Sequence, residues 1–206
     1  MTTLDFALTS FAPTHAVNGA PSGRGVTVSA RDTLHIVTVL ARRNRGAELA
    51  ERMNQLFGIE LPSGPCRTTA GDLALLGIGP GAWLAMRERT ADDLVSSLRA
   101  ACTDVASVCD QSDAYAVLRL SGPKVRETLA KMVPLDLHAC VFGCRAVAVT
   151  CAGHIGATLW RLEDAASYSA VFEIAVARSL AADFRHFLAA SAAEFGAKCC
   201  VKRDDA

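Results

Sequence analysis

A glycine-rich stretch between residues 75 and 86, LLGIGPGAWLAM, carries the spacing of a dinucleotide-binding fingerprint. Gly77, Gly79 and Ala82 match G-x-G-x-x-G/A, in which a strand ends in a tight turn and the next helix N-terminus binds a pyrophosphate. The next predicted helix begins eight residues after Ala82, too late for this role, and Pro80 removes an amide donor. We therefore predict a turn between two antiparallel strands, with no bound phosphate.

The carboxylate of Asp136, in the segment VPLDLHAC, is a second candidate. It could be a general base or an ordinary loop carboxylate, and its position shortly after Pro134 favours the loop. The sequence contains no G-x-S-x-G, H-E-x-x-H or P-loop pattern. We therefore predict no catalytic, cofactor-binding or metal-binding residue in this chain.

The histidines and tryptophans have structural explanations that suffice. The five histidines are isolated in the sequence: His15, His35, His138, His154 and His186. We expect His35 to be partly buried within a strand, and His154 and His186 to lie at the surface. Trp83 and Trp160 could anchor an interface or belong to the core, and the core is favoured.

The eight cysteines contain no C-x-x-C pair and no Cys/His spacing typical of zinc. In a reducing compartment we expect most of them to be free thiols packed as small hydrophobic side chains. Two pairs leave a redox role open. Cys140 and Cys144 could meet across a short turn, and Cys199 and Cys200 are adjacent, with a lysine on either side of the tail pair.

The composition disfavours two classes of partner. The 21 Lys and Arg residues balance the 21 Asp and Glu residues, which argues against a nucleic-acid groove or an anionic membrane surface. A hydrophobic content of 51% without net charge suits a chain that buries surface against partners, although a compact monomer remains an alternative. No run approaches the ~20 apolar residues of a membrane span, and no signal-peptide pattern opens the sequence, so we expect a cytoplasmic location.

The elements that must position these residues follow the order β-α-β-β-α-β and then β-α-β-β-β-α. This order predicts an α+β fold of two successive ferredoxin-like (split βαβ) modules, each an antiparallel sheet with helices on one face. We assign residues 1–24 to an N-terminal arm, 25–110 to the first module and 111–206 to the second. The two modules could also form one compact domain.

Two helices of the first module have boundary signals. The segment GAELAERMNQLFG predicts an amphipathic helix that ends at Gly58. Four apolar side chains share its buried face: Leu49, Met53, Leu56 and Phe57. In TADDLVSSLRAAC, Thr90 and Asp93 resemble a capping box, which predicts a helix start near Thr90.

Four segments between residues 70 and 190 carry a resemblance to a known family. They are LGIGPGAWLAM, DQSDAYAVLRLSGPKVRETLAKMVPLDLH, IGATLWRLED and YSAVFEIAVARSLAADFRHFLA. In order and spacing they resemble the γ subunit of bacterial heterotetrameric sarcosine oxidase. The pattern S-G-P…L-A-K…P-L-D-L-H is the most specific part, and residues 1–60 carry little of the resemblance.

The resemblance implies a place in a four-subunit flavoenzyme that oxidatively demethylates sarcosine to glycine and hydrogen peroxide. The one-carbon unit passes to tetrahydrofolate, giving 5,10-methylenetetrahydrofolate, or leaves as formaldehyde. In such complexes the α subunit binds NAD and the folate, the β subunit binds FAD, FMN lies between them, and the δ subunit holds zinc. The γ subunit is implied to bind no cofactor, to share the fold of the folate-binding part of aminomethyltransferases, and to stabilise the complex mainly through the α subunit.

One departure from the aminomethyltransferases leaves a second function open. In those enzymes an aspartate near the folate follows a similar helix and is preceded by asparagine, whereas Asp136 follows Leu135. The alternative function is a stand-alone folate-binding one-carbon transferase that uses Asp136 as its carboxylate.

Overall fold

The computed structural model describes residues 25–89, 93–164 and 170–200, with the backbone alone for residues 197–200. The strands are β1 (Val26–Ala30), β2 (Leu34–Ala41), β3 (Arg67–Ala70), β4 (Leu73–Gly79), β5 (Ala82–Glu88), β6 (Ala106–Asp110), β7 (Tyr115–Ser121), β8 (Val147–Ala152), β9 (Ile155–Arg161), β10 (Val171–Ala177) and β11 (Ala197–Cys200). The helices are α1 (Gly46–Phe57), α2 (Leu94–Ala101), α3 (Val125–Ala130) and α4 (Ala181–Ala192), with short 3-10 turns at Arg178–Leu180 and Ala193–Phe195. The predicted N-terminal arm, residues 1–24, lies outside the described residues.

The strands form two sheets that share a five-strand order, and the second sheet has one further strand, β11, at its edge. One sheet has the order β3-β4-β5-β2-β6, and the other has the order β11-β1-β7-β10-β9-β8. Neighbouring strands are antiparallel in both sheets, except for the parallel pair β1 and β11. In the first sheet α1 follows β2 and α2 links β5 to β6, which is the split βαβ arrangement. The predicted α+β fold is confirmed.

The strand β1 belongs to the sheet formed by the second half of the chain. Val28 lies opposite Leu120 of β7 on one side and opposite Cys199 of β11 on the other. β1 thus occupies beside β7 the position that β6 occupies beside β2. The division into residues 25–110 and 111–206 stays a prediction. The pairing of β1 with β7 and β11 shows in addition that β1 joins strands of the later half. A local hydrophobic pattern identifies a strand but not the sheet edge to which it adds.

The two sheets face each other, and the helices cover their outer faces. Between the sheets, Leu76 and Leu84 of the first sheet pack with Trp160 and Ala175 of the second. On the outer face of the first sheet, α1 and α2 bury an apolar cluster, and α3 and α4 bury another on the second sheet. The result is a four-layer arrangement in the order helix, sheet, sheet, helix. None of the described helices has the length and hydropathy needed to cross a membrane.

Helix α1 forms as predicted, with one exception on its apolar face. Leu49 and Met53 are fully buried, and Gly58 ends the helix in the left-handed conformation with φ of 61°. Leu56 is 62% exposed, so the prediction that it faces the core is wrong. Helical periodicity defines the direction of a side chain, whereas its burial requires that another element extend beneath the last turn.

Helix α2 begins at Leu94, and Asp93 is its N-cap. One carboxylate oxygen of Asp93 accepts hydrogen bonds from the backbone N–H groups of Val95 and Ser96, at 3.0 and 3.3 Å. The predicted helix start near Thr90 is therefore displaced to Asp93, and Thr90 itself lies outside the described residues.

We expect this cap to make the protein sensitive to acid. Hydrogen bonds from the Ser96 hydroxyl and from the Ser96 and Val95 amides hold the pKa of Asp93 below its usual value. A carboxyl group with a lowered folded-state pKa stabilises the fold above its unfolded pKa, and this contribution is lost as the pH falls through the folded value. The variant Asp93→Asn keeps an acceptor oxygen for the cap but does not titrate.

Urea unfolding of both proteins at about pH 6 and about pH 3, on either side of the usual aspartate pKa, measures this effect. The unaltered chain should lose more stability than Asp93→Asn between the two pH values. Asp110 and Glu127 also have lowered pKa values, but they are present in both proteins and do not change the difference. If both proteins lose the same stability between the two pH values, the Asp93 carboxylate does not stabilise the folded state through its charge.

Candidate functional site

The glycine-rich stretch forms a hairpin turn. Gly79 ends β4 opposite Ala82 of β5, and Pro80 and Gly81 lie between them. Gly81 has φ of 69°, and proline followed by a glycine with positive φ is the pattern of a type II turn. The predicted turn between antiparallel strands is confirmed, and β5 occupies the place where a fingerprint helix would have to begin.

Gly77 of β4 lies at a close contact between two backbone segments, β4 and the segment before β3. A Cβ atom added at Gly77 would lie 2.1 Å from the carbonyl oxygen of Gly64. The Gly77 N–H donates to the carbonyl of Cys66 at 3.0 Å, and the strand register shifts between Gly77 and Gly79. The absence of a side chain at this position therefore lets the segment before β3 pack directly on β4.

Asp136 lies in an exposed loop and takes part in local hydrogen bonds. Its Oδ1 atom accepts from the backbone N–H of His138 at 2.8 Å, and the Nδ1 atom of His138 accepts from the backbone N–H of Cys140 at 3.3 Å. An aspartate that binds the N–H two residues ahead is a common way to close a turn. Asp136 lies in a loop, as predicted, and its carboxylate stabilises the turn that contains it.

The other aromatic candidates also hold structural positions. Trp83 and Trp160 are 7% and 1% exposed, which confirms that both belong to the core. Each indole N–H has a partner: Trp83 donates to the Pro62 carbonyl at 2.8 Å, and Trp160 donates to Glu173 at 2.9 Å. His35 is partly buried, as expected.

The remaining histidines give no cluster. His154 and His186 are exposed, as predicted, and His15 lies outside the described residues. Among residues 25–89, 93–164 and 170–200, no group of three or more His, Cys, Asp or Glu side chains is arranged to hold a metal ion.

The cysteines correct one expectation. Six cysteines of the described residues are free thiols, but only Cys102 is buried, where burial raises its pKa. Four are exposed, so the prediction that most cysteines pack as small hydrophobic side chains is wrong: Cys109, Cys140, Cys144 and Cys151. They lie on edge strands and in a surface loop, positions that the sequence pattern does not reveal. The side chains of Cys199 and Cys200 lie outside the described residues, so a redox role of either pair stays untested.

A charged cluster that no sequence pattern predicted lies between the sheets, centred on Glu173 of β10. Glu173 is 5% exposed, in a strand that is otherwise apolar. Its Oε2 atom accepts from the Trp160 indole N–H at 2.9 Å, and its Oε1 atom accepts from Nε of Arg119 at 2.9 Å. Arg119 Nη2 and Arg31 Nη1 also lie 2.7 and 3.3 Å from Oε1. The one signal in the sequence is a glutamate within VFEIAVA.

A third arginine, Arg67 of β3, faces the same region. Arg67 is the cross-strand partner of Leu76, a residue of the apolar cluster between the sheets. Partial burial lowers the pKa of Arg67, and the charges of Arg119 and Arg31 act in the same direction while Glu173 opposes them. We call Arg31, Arg67 and Arg119 around Glu173 the arginine cluster.

The backbone of Arg67 is held by Arg145, just before β8. The Arg67 N–H donates to the Arg145 carbonyl at 2.7 Å, and the Arg145 Nε donates to the Arg67 carbonyl at 3.0 Å. Arg145 has φ of 72°, a conformation that costs about 1 kcal/mol or more for a residue other than glycine. These contacts join an edge of the first sheet to an edge of the second.

Comparisons with known proteins agree with this fold. A chain of the heterotetrameric sarcosine oxidase from Corynebacterium sp. U-96, solved in complex with pyrrole 2-carboxylate, superposes with a TM-score of 0.74 at 26% identity. The match covers 87% of this chain and 89% of that chain. The glycine cleavage system aminomethyltransferase T of Bartonella henselae has a TM-score of 0.57 at 12% identity, over 85% of this chain and 48% of that chain.

Curated relatives match by sequence as well. Sarcosine oxidase subunit gamma of Corynebacterium sp. (strain P-1) is 28% identical over 144 residues, covering 69% of this chain and 71% of the relative. The corresponding subunit of an Arthrobacter sp. is 32% identical over 117 residues, covering 54% of this chain and 56% of the relative. The family described as sarcosine oxidase, gamma subunit, matches residues 44–194.

The two sheets and their helices place the chain in the structural class that it shares with aminomethyltransferase T. Within that class, the family match covers well over half of the 206 residues. The chain belongs to the sarcosine oxidase gamma subunit family.

Proposed function

We propose that this chain is the γ subunit of a heterotetrameric sarcosine oxidase, with α, β and δ subunits as partners and the α subunit as the main one. The chain contributes no catalytic residue, cofactor site or metal site, and FAD, FMN, NAD, zinc and tetrahydrofolate belong to the other subunits. The complex oxidatively demethylates sarcosine to glycine and hydrogen peroxide, with formaldehyde or 5,10-methylenetetrahydrofolate as the one-carbon product. The observation that carries this proposal is the match to a chain of a heterotetrameric sarcosine oxidase over 87% of the present chain.

The side chains that could have taken part in catalysis are bound to other groups of the chain. Their contacts favour a non-catalytic role for this chain in the complex. Asp136 closes a turn, Glu173 binds two arginines and a tryptophan, and the glycine run forms a hairpin. The free thiols suit a reducing compartment, in line with a cytoplasmic location for the complex.

Co-expression of an affinity-tagged copy with the α, β and δ chains tests the proposal. We expect the tagged chain to be recovered in a complex with flavin absorbance and sarcosine-dependent production of hydrogen peroxide. The tagged chain purified alone should show neither property. The proposal is wrong if the tagged chain elutes alone, or if the other three chains form an equally stable complex without it.

A titration calorimetry experiment addresses the alternative, a folate-dependent transferase. Since Asp136 is engaged in its own loop, tetrahydrofolate at high micromolar concentration should give no saturable heat with the isolated chain. The matched variant is Asp136→Ala. Saturable binding that this variant loses would support the transferase.

A further inference from the structure

Among the edge strands that the structure describes, β8 alone contains no charged residue. The two sheets have four edge strands, β3, β6, β8 and β11. Arg67 lies in β3, Asp110 in β6 and Lys198 in β11, whereas β8 has the sequence VAVTCA. Proteins usually protect an edge strand with a charge, a proline or a bulge, because its unpaired main-chain groups bind other strands. β8 has none of these features, and its pairing with β9 is regular along its whole length.

The main-chain groups of Val149 and Cys151 point away from β9. The Ala146 carbonyl accepts from the N–H of the last residue of β9 at 2.9 Å, so every second residue after Ala146 bonds to β9. The Val147 N–H points the other way and donates to the Pro65 carbonyl at 2.9 Å. The alternation directs the N–H and C=O groups of Val149 and Cys151 to this outer side, where no strand lies within the described residues.

The chain itself uses the first part of this edge and then leaves it. Cys66 forms a single antiparallel bridge with Ala146, and the next residue in the antiparallel direction is Pro65. Proline has no N–H group, so Pro65 accepts one hydrogen bond and the pairing stops there. The edge beyond Val147 therefore continues an existing strand contact and is open to a second chain.

The side chains along the open part of the edge are exposed. Val149 is 62% exposed, and Cys151 is exposed as well. Val147, on the same face of β8, is buried between the sheets, so the first sheet ends before Val149. A Cβ atom added at Gly156, opposite Cys151, would have no atom of the described residues within 4 Å. An extended chain beside β8 has room to cover Val149 while its main chain bonds to the edge.

The position of this edge favours a partner subunit over a segment of the same chain. Residues 1–24 join the fold at β1, which β7, β10 and β9 separate from β8, a distance of about 19 Å. The first sheet and the helices cover the two faces in between, so a segment of this chain would have to pass around a whole layer. The residues after Cys200 start one strand farther away, at β11. A second subunit reaches β8 directly from its outer side.

We propose that residues 148–152 of β8 pair with an extended, uncharged segment of another subunit, which adds a strand to the second sheet. This inference rests on the proposed function, because the partner belongs to the same heterotetramer. The partner's main chain binds the outward N–H and C=O groups of Val149 and Cys151, and an apolar side chain covers Val149. Main-chain hydrogen bonds supply the affinity of such a contact, and the side chains supply its selectivity.

The test uses the four-chain complex and the variant Val149→Lys, which places a charge on the edge at an exposed position. We expect its dissociation constant from the other three subunits to rise about tenfold or more, because the charge is buried against an uncharged strand. Val141→Lys is the matched control, since Val141 is 65% exposed and lies in the loop before β8. Val149→Thr keeps the β-branched shape without a charge and should remain within about threefold of the unaltered chain.

Hydrogen exchange of the unaltered chain tests the main-chain pairing directly. In the complex, the outward N–H groups of Val149 and Cys151 should exchange at least about tenfold more slowly than in the isolated chain at low concentration. The N–H groups of Ala148 and Thr150 bond to β9 and should be slow in both states. Urea unfolding of the isolated variants should give the midpoint of the unaltered chain, because Val149 and Val141 are exposed.

The inference is overturned, and the proposed function left intact, if Val149→Lys assembles as well as the unaltered chain or no better than Val141→Lys. Equal exchange of the two outward N–H groups in the isolated chain and the complex has the same consequence. Slow exchange in the isolated chain at low concentration would assign the edge to the chain's own residues, and slow exchange only at high concentration would assign it to a second copy. Both results contradict a partner subunit. If the unaltered chain does not join the complex at all, the inference and the proposed function are both wrong.

Discussion

Replacement of Glu173 by alanine should destabilise the isolated chain by about 3 kcal/mol, as measured by urea unfolding. The substitution leaves Arg119 and Arg31 without their shared carboxylate and the buried Trp160 N–H without an acceptor. Removal of one partner of a buried ion pair costs about 3–5 kcal/mol. The low end applies here because the Arg119 side chain remains 38% exposed, so water compensates part of the loss.

Two further variants separate the charge of Glu173 from other effects. Glu173→Gln retains an acceptor for Trp160 and should lie between the unaltered chain and Glu173→Ala. Glu60→Ala removes an exposed carboxylate elsewhere and should change the stability by less than about 0.5 kcal/mol. A loss of less than about 1 kcal/mol for Glu173→Ala would mean that hydrophobic packing alone holds the sheets together at this end.

The substitution Gly77→Ala should destabilise the chain by about 1–3 kcal/mol, near the upper end of that range. The new methyl group would lie 2.1 Å from the backbone oxygen of Gly64. A backbone carbonyl cannot move aside as a flexible side chain can. The segment before β3 must therefore shift away from β4, which weakens the hydrogen bond from Gly77 N–H to Cys66.

The neighbouring glycine provides the control for this prediction. A Cβ atom at Gly79 would lie 3.9 Å from the Cβ atom of Ala82, an ordinary van der Waals distance. Gly79→Ala should therefore be nearly neutral in the same unfolding experiment. If the two variants are equally stable, the close approach of β4 to Gly64 does not exist in solution.

Local patterns in the sequence were sufficient to predict most helices and strands and the hairpin at the glycine run. The strands on either side of the glycine run, Leu73–Gly79 and Ala82–Glu88, form the predicted antiparallel pair, because short apolar runs and the turn residues between them act within a few residues. The short strands β3 and β11 were missed. β3, with the sequence RTTA, lacks an apolar pattern and forms because β4 offers it a free edge.

The cluster around Glu173 shows why the site could not be derived from the sequence. Arg31, Arg67, Arg119 and Glu173 lie on four separate segments, and the register between strands brings them together. No local spacing relates residue 67 to residue 173. The carboxylate that stands out in the sequence is Asp136, whose only hydrogen-bond partner within the described residues is the nearby His138 N–H.

The sequence by itself determined most of the helices and strands, the hairpin at the glycine run and the resemblance to a family, since each depends on short segments. The tertiary structure decided the rest: β1 joins the sheet of the other half, Leu56 and four cysteines remain exposed, and two arginines share one buried glutamate. These features depend on contacts between residues far apart in the chain. Their energies follow from burial and charge in the folded state, which a local pattern does not contain.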